Sequence, residues 1–290
     1  MISESSSLPP HSKMVTNTSI DILILGAGWL SNFLIPLFQE SNLTHASTSR
    51  TGLTPNTIQW NLGDSIEALP KAKTVVVMFP VDNWADLSGL VEGYQKSNGD
   101  SLWVLIGSTR GWQVTDTRSD HVITRHTPLP PNAPARSLVE EQFLKVYSVR
   151  GVVLNLVGLH GRPPVSEDSP HSAPRLVPNF LKRIGSTKDA LKQKTSVHFV
   201  HGFDAALAIL LVHQQAEKMT GRWIVSDCLV RDWWAVALEL GGKQEKQWVL
   251  ELMKEEKVVL PRQKGLGRVV DGSDFWVATG YVPEYVGLTV

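Results

Sequence analysis

The chain has 290 residues, 42% of them apolar, and its 28 basic and 28 acidic side chains cancel. That length fits one large α/β domain, or one domain with a smaller lobe, and the apolar share excludes a wholly disordered chain. With no basic surplus, nucleic acid is not an expected partner, and no acidic excess marks a charged tail.

Residues 1–18 are rich in Ser, Thr and Pro and hold no apolar run of signal-peptide length, so they read as a disordered leader. Residues 22–25 form a short apolar run that ends in Gly26-Ala27-Gly28, and an apolar stretch follows from 29 to 38. The pattern is a buried strand, a tight turn and a helix that Pro36 should shorten or bend. Further apolar runs at 75–79, 102–106 and 152–157 alternate with helix-capable segments at 84–95 and 135–149. Continuous apolar strands alternating with helices predict an α/β fold, a doubly wound parallel Rossmann sheet covered on both faces.

After Gly158 the texture changes, and 162–178 reads as a long Pro- and Ser-rich loop over a pocket. Helices are predicted at 176–184, 203–214, 232–240 and 244–254, and strands at 197–200 and 223–225. Residues 19–160 are therefore the dinucleotide-binding core. Residues 161–290 form a smaller C-terminal substrate lobe with returning core elements. No window is apolar over the roughly 20 residues that a membrane span needs, so no membrane partner is expected. One cysteine, Cys228, excludes an intrachain disulfide. It suits a reducing, cytoplasmic setting and reads as a small buried apolar residue.

Gly26-x-Gly28-x-x-Ser31 matches a dinucleotide turn except at its last position. The first glycine serves the sharp turn and the second lets the backbone approach a pyrophosphate. Serine is a modest enlargement at the third, which normally allows close helix–strand packing. The amides of Trp29 and Leu30, at the helix start, would face the phosphates. About twenty residues on, where an Asp or Glu usually binds the ribose of NAD, the chain reads Thr48-Ser49-Arg50. A hydroxyl and a guanidinium suit a 2′-phosphate, so NADP(H) is the expected cofactor.

From the same turn onward the chain resembles atypical extended short-chain dehydrogenase/reductases, the group related to nucleotide-sugar epimerases. Gly26-Ala27-Gly28-Trp29-Leu30 is similar to the family's opening, and Asn61-Leu62-Gly63-Asp64 to its adenine-contacting turn. Met78-Phe79-Pro80 resembles the end of its fourth strand, and Gly107-Ser108-Thr109 the end of its fifth, where the catalytic serine or threonine sits. Gly158-Leu159-His160-Gly161 resembles a "Gly-x-Tyr-Gly" turn with His160 in place of tyrosine. The stretch from His198 to Asp204 resembles a "His-Val-Asp-Asp" segment, and Gly280-Tyr281-Val282-Pro283 the C-terminal closure. The resemblance implies cofactor contacts from Leu62, Asp64, Phe79, Pro80, Ser108 and His160. It also implies dimerisation through two helices, to which Leu138, Phe143, Leu144 and Val146 would contribute.

The family's Tyr-x-x-x-Lys pair has no counterpart. The matching stretch holds Arg136 at the lysine position, followed by Glu140, and Asn132 at the tyrosine position. Trp112 replaces a second tyrosine. An asparagine cannot exchange a proton near neutral pH. The expected catalytic group is therefore Ser108, Thr109, Arg136 and His160, with Asp116, His121, His126, His171 and His201 as further proton donors to consider. Trp29, Trp84, Trp112 and Phe79 are candidates for an apolar pocket wall. The nine histidines are scattered, so no metal site is expected.

The sequence leaves three readings open. The first is an NADP(H)-dependent reductase of a small carbonyl or imine substrate, the imine needing less from the missing proton relay. The second is a cofactor-binding isomerase, cyclase or dehydratase. The third is a non-catalytic NADP(H) sensor.

Overall fold

The computed structural model describes residues 19–54, 56–112, 121–164 and 171–289. The expected leader and Asp116 lie outside the described residues.

The first half supplies β1 (Ile20–Leu25), α1 (Ser31–Glu40), β2 (His45–Ser49), β3 (Thr57–Gln59), β4 (Ala72–Val77), α2 (Trp84–Asn98) and β5 (Leu102–Ser108). Next come β6 (His121–Ile123), α3 (Ala135–Val146), β7 (Gly151–Leu156), β8 (Gly158–His160), α4 (Val177–Ile184), α5 (Lys188–Lys192), β9 (Ser196–Val197) and β10 (Phe199–His201). The chain finishes with α6 (Gly202–Gln214), β11 (Gly221–Val225), β12 (Arg231–Asp232), α7 (Trp233–Leu240), α8 (Lys243–Glu256), β13 (Arg268–Val270) and α9 (Ser273–Thr279).

Seven strands form one parallel sheet in the order β11-β7-β5-β4-β1-β2-β3. This is the Rossmann-type order with an added strand, and it follows from apolar runs that have to be buried on both faces. On one face Ile22, Ile24, Val104 and Leu154 pack with α1, α6 and α9. On the other Leu23, Leu25, Val75, Trp103 and Val153 pack with α2 and α3. Each such side chain contributes about 1.5–3 kcal/mol on burial. A separate core joins Val177, Leu181 and Leu191 to Trp234, Val249 and Leu252 of the later helices.

Several elements differ from the periodicity. Trp29 and Leu30 belong to the turn, so α1 begins at Ser31 and runs ten residues through Pro36. The predicted strand at 197–200 is cut at His198, whose Nε2 accepts the Val270 amide at 2.9 Å. Its two pieces then pair with different partners, β12 and β8. β2 has no apolar run, because His-Ala-Ser-Thr-Ser makes hydrogen bonds where its neighbours make hydrophobic contacts. Cys228 is exposed rather than buried, in a turn at φ 61°. Among the described residues no helix is long and apolar enough to cross a membrane, and no group of acidic, His and Cys side chains could hold a metal ion.

Candidate functional site

The strand order reverses between β1 and its two neighbours, where ligands bind in open parallel sheets. A cavity of about 370 Å³ lies there, bounded by residues that follow the strands. Gly26, Gly28, Trp29 and Leu30 follow β1, Met78 and Pro80 follow β4, Gly107 and Ser108 end β5, and Leu156, Val157 and Leu159 follow β7. Arg136 of α3 and Arg175 complete the polar lining.

Gly26 sits at φ +91°, a conformation that L side chains rarely adopt, and a Cβ there would come within 2.9 Å of the Phe79 ring. Phe79 thus supports the turn from behind. A Cβ on Gly28 would meet no protein atom, which leaves the backbone open to close approach. Thr48 of β2 holds the turn, accepting the Gly26 amide on Oγ1 at 3.0 Å and the Ala27 amide on its carbonyl at 2.7 Å. Among the described residues the amides of Trp29 and Leu30 have no protein acceptor. Ser31 fits the third position by donating its hydroxyl to the Gly28 carbonyl at 2.5 Å, and α1 has no capping side chain and no acidic residue in its first turn. A positive φ, an open second glycine and unpaired amides at a helix start fit the pyrophosphate of a dinucleotide.

At the other wall Arg136 donates from Nη2 to the Ile106 carbonyl and sets Nε 3.3 Å from Glu140, one helical turn on. Glu140 accepts Asn155 Nδ2 at 2.7 Å and lies 3.4 Å from Arg222, which also donates to Asn155 at 2.7 Å. Burial holds the Glu140 carboxyl above the ordinary range, against the opposing pull of Asn155, Arg136 and Arg222. The network fixes the Arg136 side chain beside the end of β5. Ser108 faces the same cavity, and its Oγ accepts the Arg110 amide at 3.3 Å.

The other expected residues lie elsewhere. Thr109 is buried and its hydroxyl points to the Leu156 carbonyl at 3.5 Å. His160 is fully buried, with Nδ1 3.0 Å from the Thr289 hydroxyl and its ring edge-on to Phe199, so the cavity wall passes from Val157 to Leu159 without it. Burial pushes His160 down to about 4. His201 caps α6 through the Phe203 amide and stacks on Tyr285. His121, His126, His171 and Asn132 are exposed and do not line the cavity. Trp112 is buried with its indole donating to Thr127, and Trp84 packs near Tyr147. Of the four aromatic wall candidates, Trp29 alone lines this cavity.

Tyr147 follows the last turn of α3, about 16 Å along the helix from Arg136, and does not line the cavity beside Ser108. No tyrosine, lysine, histidine or carboxylate is among the cavity's described lining residues. On the sheet's other flank, Ser49 Oγ bonds Thr57 and the Gly52 amide, while the exposed Arg50 guanidinium has no acceptor among the described residues. Asp64 accepts the Asn61 amide at 2.7 Å, and with Leu62, Trp60 and Asp86 it lines a second cavity of about 380 Å³.

Arg175 escaped the sequence reading. The available signal was an arginine in the loop expected to cover a pocket. Its backbone pairs with Gly161 at 2.9 and 3.1 Å, and its guanidinium lies 4.3 Å above the Trp29 ring. The Trp29 indole donates to the Ala173 carbonyl at 2.9 Å, which ties this segment to the glycine turn.

No protein-family model and no curated protein matches the chain by sequence. Solved structures match it over nearly its whole length. UDP-N-acetylglucosamine 4-epimerase from Bacillus cereus superposes with a TM-score of 0.58 at 13% identity, over 92% of each chain. RMD from Pseudomonas aeruginosa, complexed with NADPH, gives 0.58 at 13% identity over 92% of this chain and 93% of its own. A short-chain dehydrogenase/reductase superfamily protein from Agrobacterium tumefaciens, with bound NAD, gives 0.59 at 17% identity over 91% and 92%. The chain therefore has the Rossmann-type fold that these epimerase and short-chain dehydrogenase/reductase structures share.

Proposed function

We propose that the protein is an NADP(H)-dependent oxidoreductase that reduces a small carbonyl or imine substrate without a Tyr/Lys proton relay. The observation that carries this reading is the cavity itself, where the glycine turn, Ser108 and Arg136 meet at the carboxyl edge of the sheet. The amides of Trp29 and Leu30 would hold the pyrophosphate, and Arg50 the 2′-phosphate, with Leu62 and Asp64 toward the adenine. The structural neighbours hold either NAD or NADPH, and the free guanidinium after β2 is what favours NADPH here.

A nicotinamide cofactor supplies the hydride; the chain's own part is orientation and electrostatics. With a carbonyl, Ser108 Oγ would donate to the substrate's oxygen, and Arg136 would stabilise the negative charge that develops there. The proton for a carbonyl's oxygen would come from water, whereas an iminium needs none. A substrate that arrives protonated, such as an iminium, asks least of this lining, and the apolar Met78, Leu156, Val157 and Leu159 would exclude competing water. We also propose a homodimer through α2 and α3, where Leu138 and Val146 are exposed.

The test is a panel of cyclic imines and small ketones with NADPH, followed by absorbance of the reduced nicotinamide. Turnover with imines above ketones supports the reading. Tight NADPH binding with no turnover on any substrate would replace it by a cofactor-sensing role.

A further inference from the structure

We propose that the cavity takes an anionic substrate, a small organic acid or phosphate ester whose charged group is held by Arg136 and Arg175. The proposal rests on the dinucleotide reading of the same cavity.

The first support is what Arg175 lacks. Arg222, Arg231, Arg262 and Arg268 all have oxygen acceptors within the protein, from Glu140 and Asn155, Asp227, Asp232, and the Thr109 carbonyl respectively. Arg175 has none among the described residues, and its guanidinium lies over the face of Trp29. Burial pushes the guanidinium below its ordinary range, yet it stays charged at any physiological pH. Arg175 is exposed, so its free donors are open to an anion, and no carboxylate is among the cavity's described lining residues to compete for them.

The second support is rigidity. The paired backbone at Gly161, the Trp29–Ala173 bond and the bond from Asn32 Nδ2 to the His171 carbonyl at 3.1 Å fix the segment that carries Arg175. Arg136 is fixed as well, by Ile106 and Glu140 through Nη2 and Nε, which leaves Nη1 without an acceptor among the described residues. Two guanidiniums held in place, each with donors left over, recognise a carboxylate or phosphate with little loss of side-chain entropy. Met78, Ile106, Leu156, Val157 and Leu159 give the remaining lining an apolar part, which suits an apolar body on the substrate.

Calorimetric titration of the full chain tests this, first free and then saturated with NADPH. Oxamate and inorganic phosphate are the anionic probes, and oxamide is the uncharged control. Binding of oxamate points to an organic acid, and binding of phosphate to a phosphate ester. Either anion should bind while oxamide does not. Arg175→Met and Arg136→Lys should each weaken that anion by about tenfold to a hundredfold. Arg183→Met, which lies over Phe180 outside the cavity, should leave it unchanged.

The proposal is overturned if neither anion binds, if oxamide binds equally well, or if both cavity variants keep wild-type anion affinity. It is also overturned if Arg175→Met weakens NADPH and spares the anion, since Arg175 would then serve the pyrophosphate. Failure of NADPH and NADH to bind sinks the cofactor reading alone, and the anion titrations on the free protein then decide the guanidinium site.

Discussion

Two regions of this molecule hold polar groups near the carboxyl edge of the sheet, and they treat them in opposite ways. In the cavity the amides of Trp29 and Leu30 and the Arg175 guanidinium face outward without protein partners. Behind it, His160, His198 and His201 are buried against Thr289, the Val270 amide and the Phe203 amide. The first arrangement leaves donors open at the cavity and the second holds the fold. Residue type alone misleads here, since histidine is the usual candidate for proton transfer and arginine is ordinarily a surface residue.

The largest test of that contrast is acid. Burial pushes His160 and His198 down to about 4, whereas an unfolded histidine titrates near 6.5. Between these values the unfolded chain binds protons that the folded one refuses, so stability is full above about 6.5 and falls as pH drops toward 4. The loss should reach about 3 kcal/mol per histidine, read as a falling denaturation midpoint. A flat midpoint over that range would place these histidines in contact with water.

Arg136→Met comes next. It removes one partner of the buried Glu140 and should cost about 3 kcal/mol of stability, together with any hydride transfer. Arg175→Met should change stability by less than about 1 kcal/mol, because among the described residues its guanidinium has only the Trp29 face against it and no hydrogen-bond acceptor. Equal losses would erase the distinction between the two arginines.

Gly26→Ala forces a side chain into φ +91° and against the Phe79 ring. Strain of about 1–3 kcal/mol is expected, and dinucleotide affinity should fall with it. The smallest effect is that of Arg50→Ala, which should lower NADPH affinity about tenfold and leave NADH unchanged. A parallel loss for both dinucleotides would remove Arg50 from the 2′-phosphate.

The fold was legible because β1, β4, β5 and β7 are apolar runs bounded by turn residues, and the glycine turn marks which end of the sheet binds. β2 was hidden, since Thr48 and Ser49 are buried by hydrogen bonding rather than by hydrophobicity. The salt bridge from Arg136 to Glu140 could be read from their four-residue spacing, whereas the reach of Glu140 to Asn155 and Arg222 could not, because those come from distant strands. His160 was misplaced for a related reason. Its neighbour Leu159 faces the cavity, and the alternation of a strand turns His160 the other way, onto a chain end that sequence does not bring near.

The central claim is that the turn after β1 binds a dinucleotide. Titrating the protein with NADPH and NADH while following tryptophan fluorescence tests it most directly, because Trp29 lines the cavity. Saturable quenching by both dinucleotides, tighter for NADPH, is the expected result. Absence of saturable binding by either would contradict it and would leave the glycine turn a structural relic of the fold.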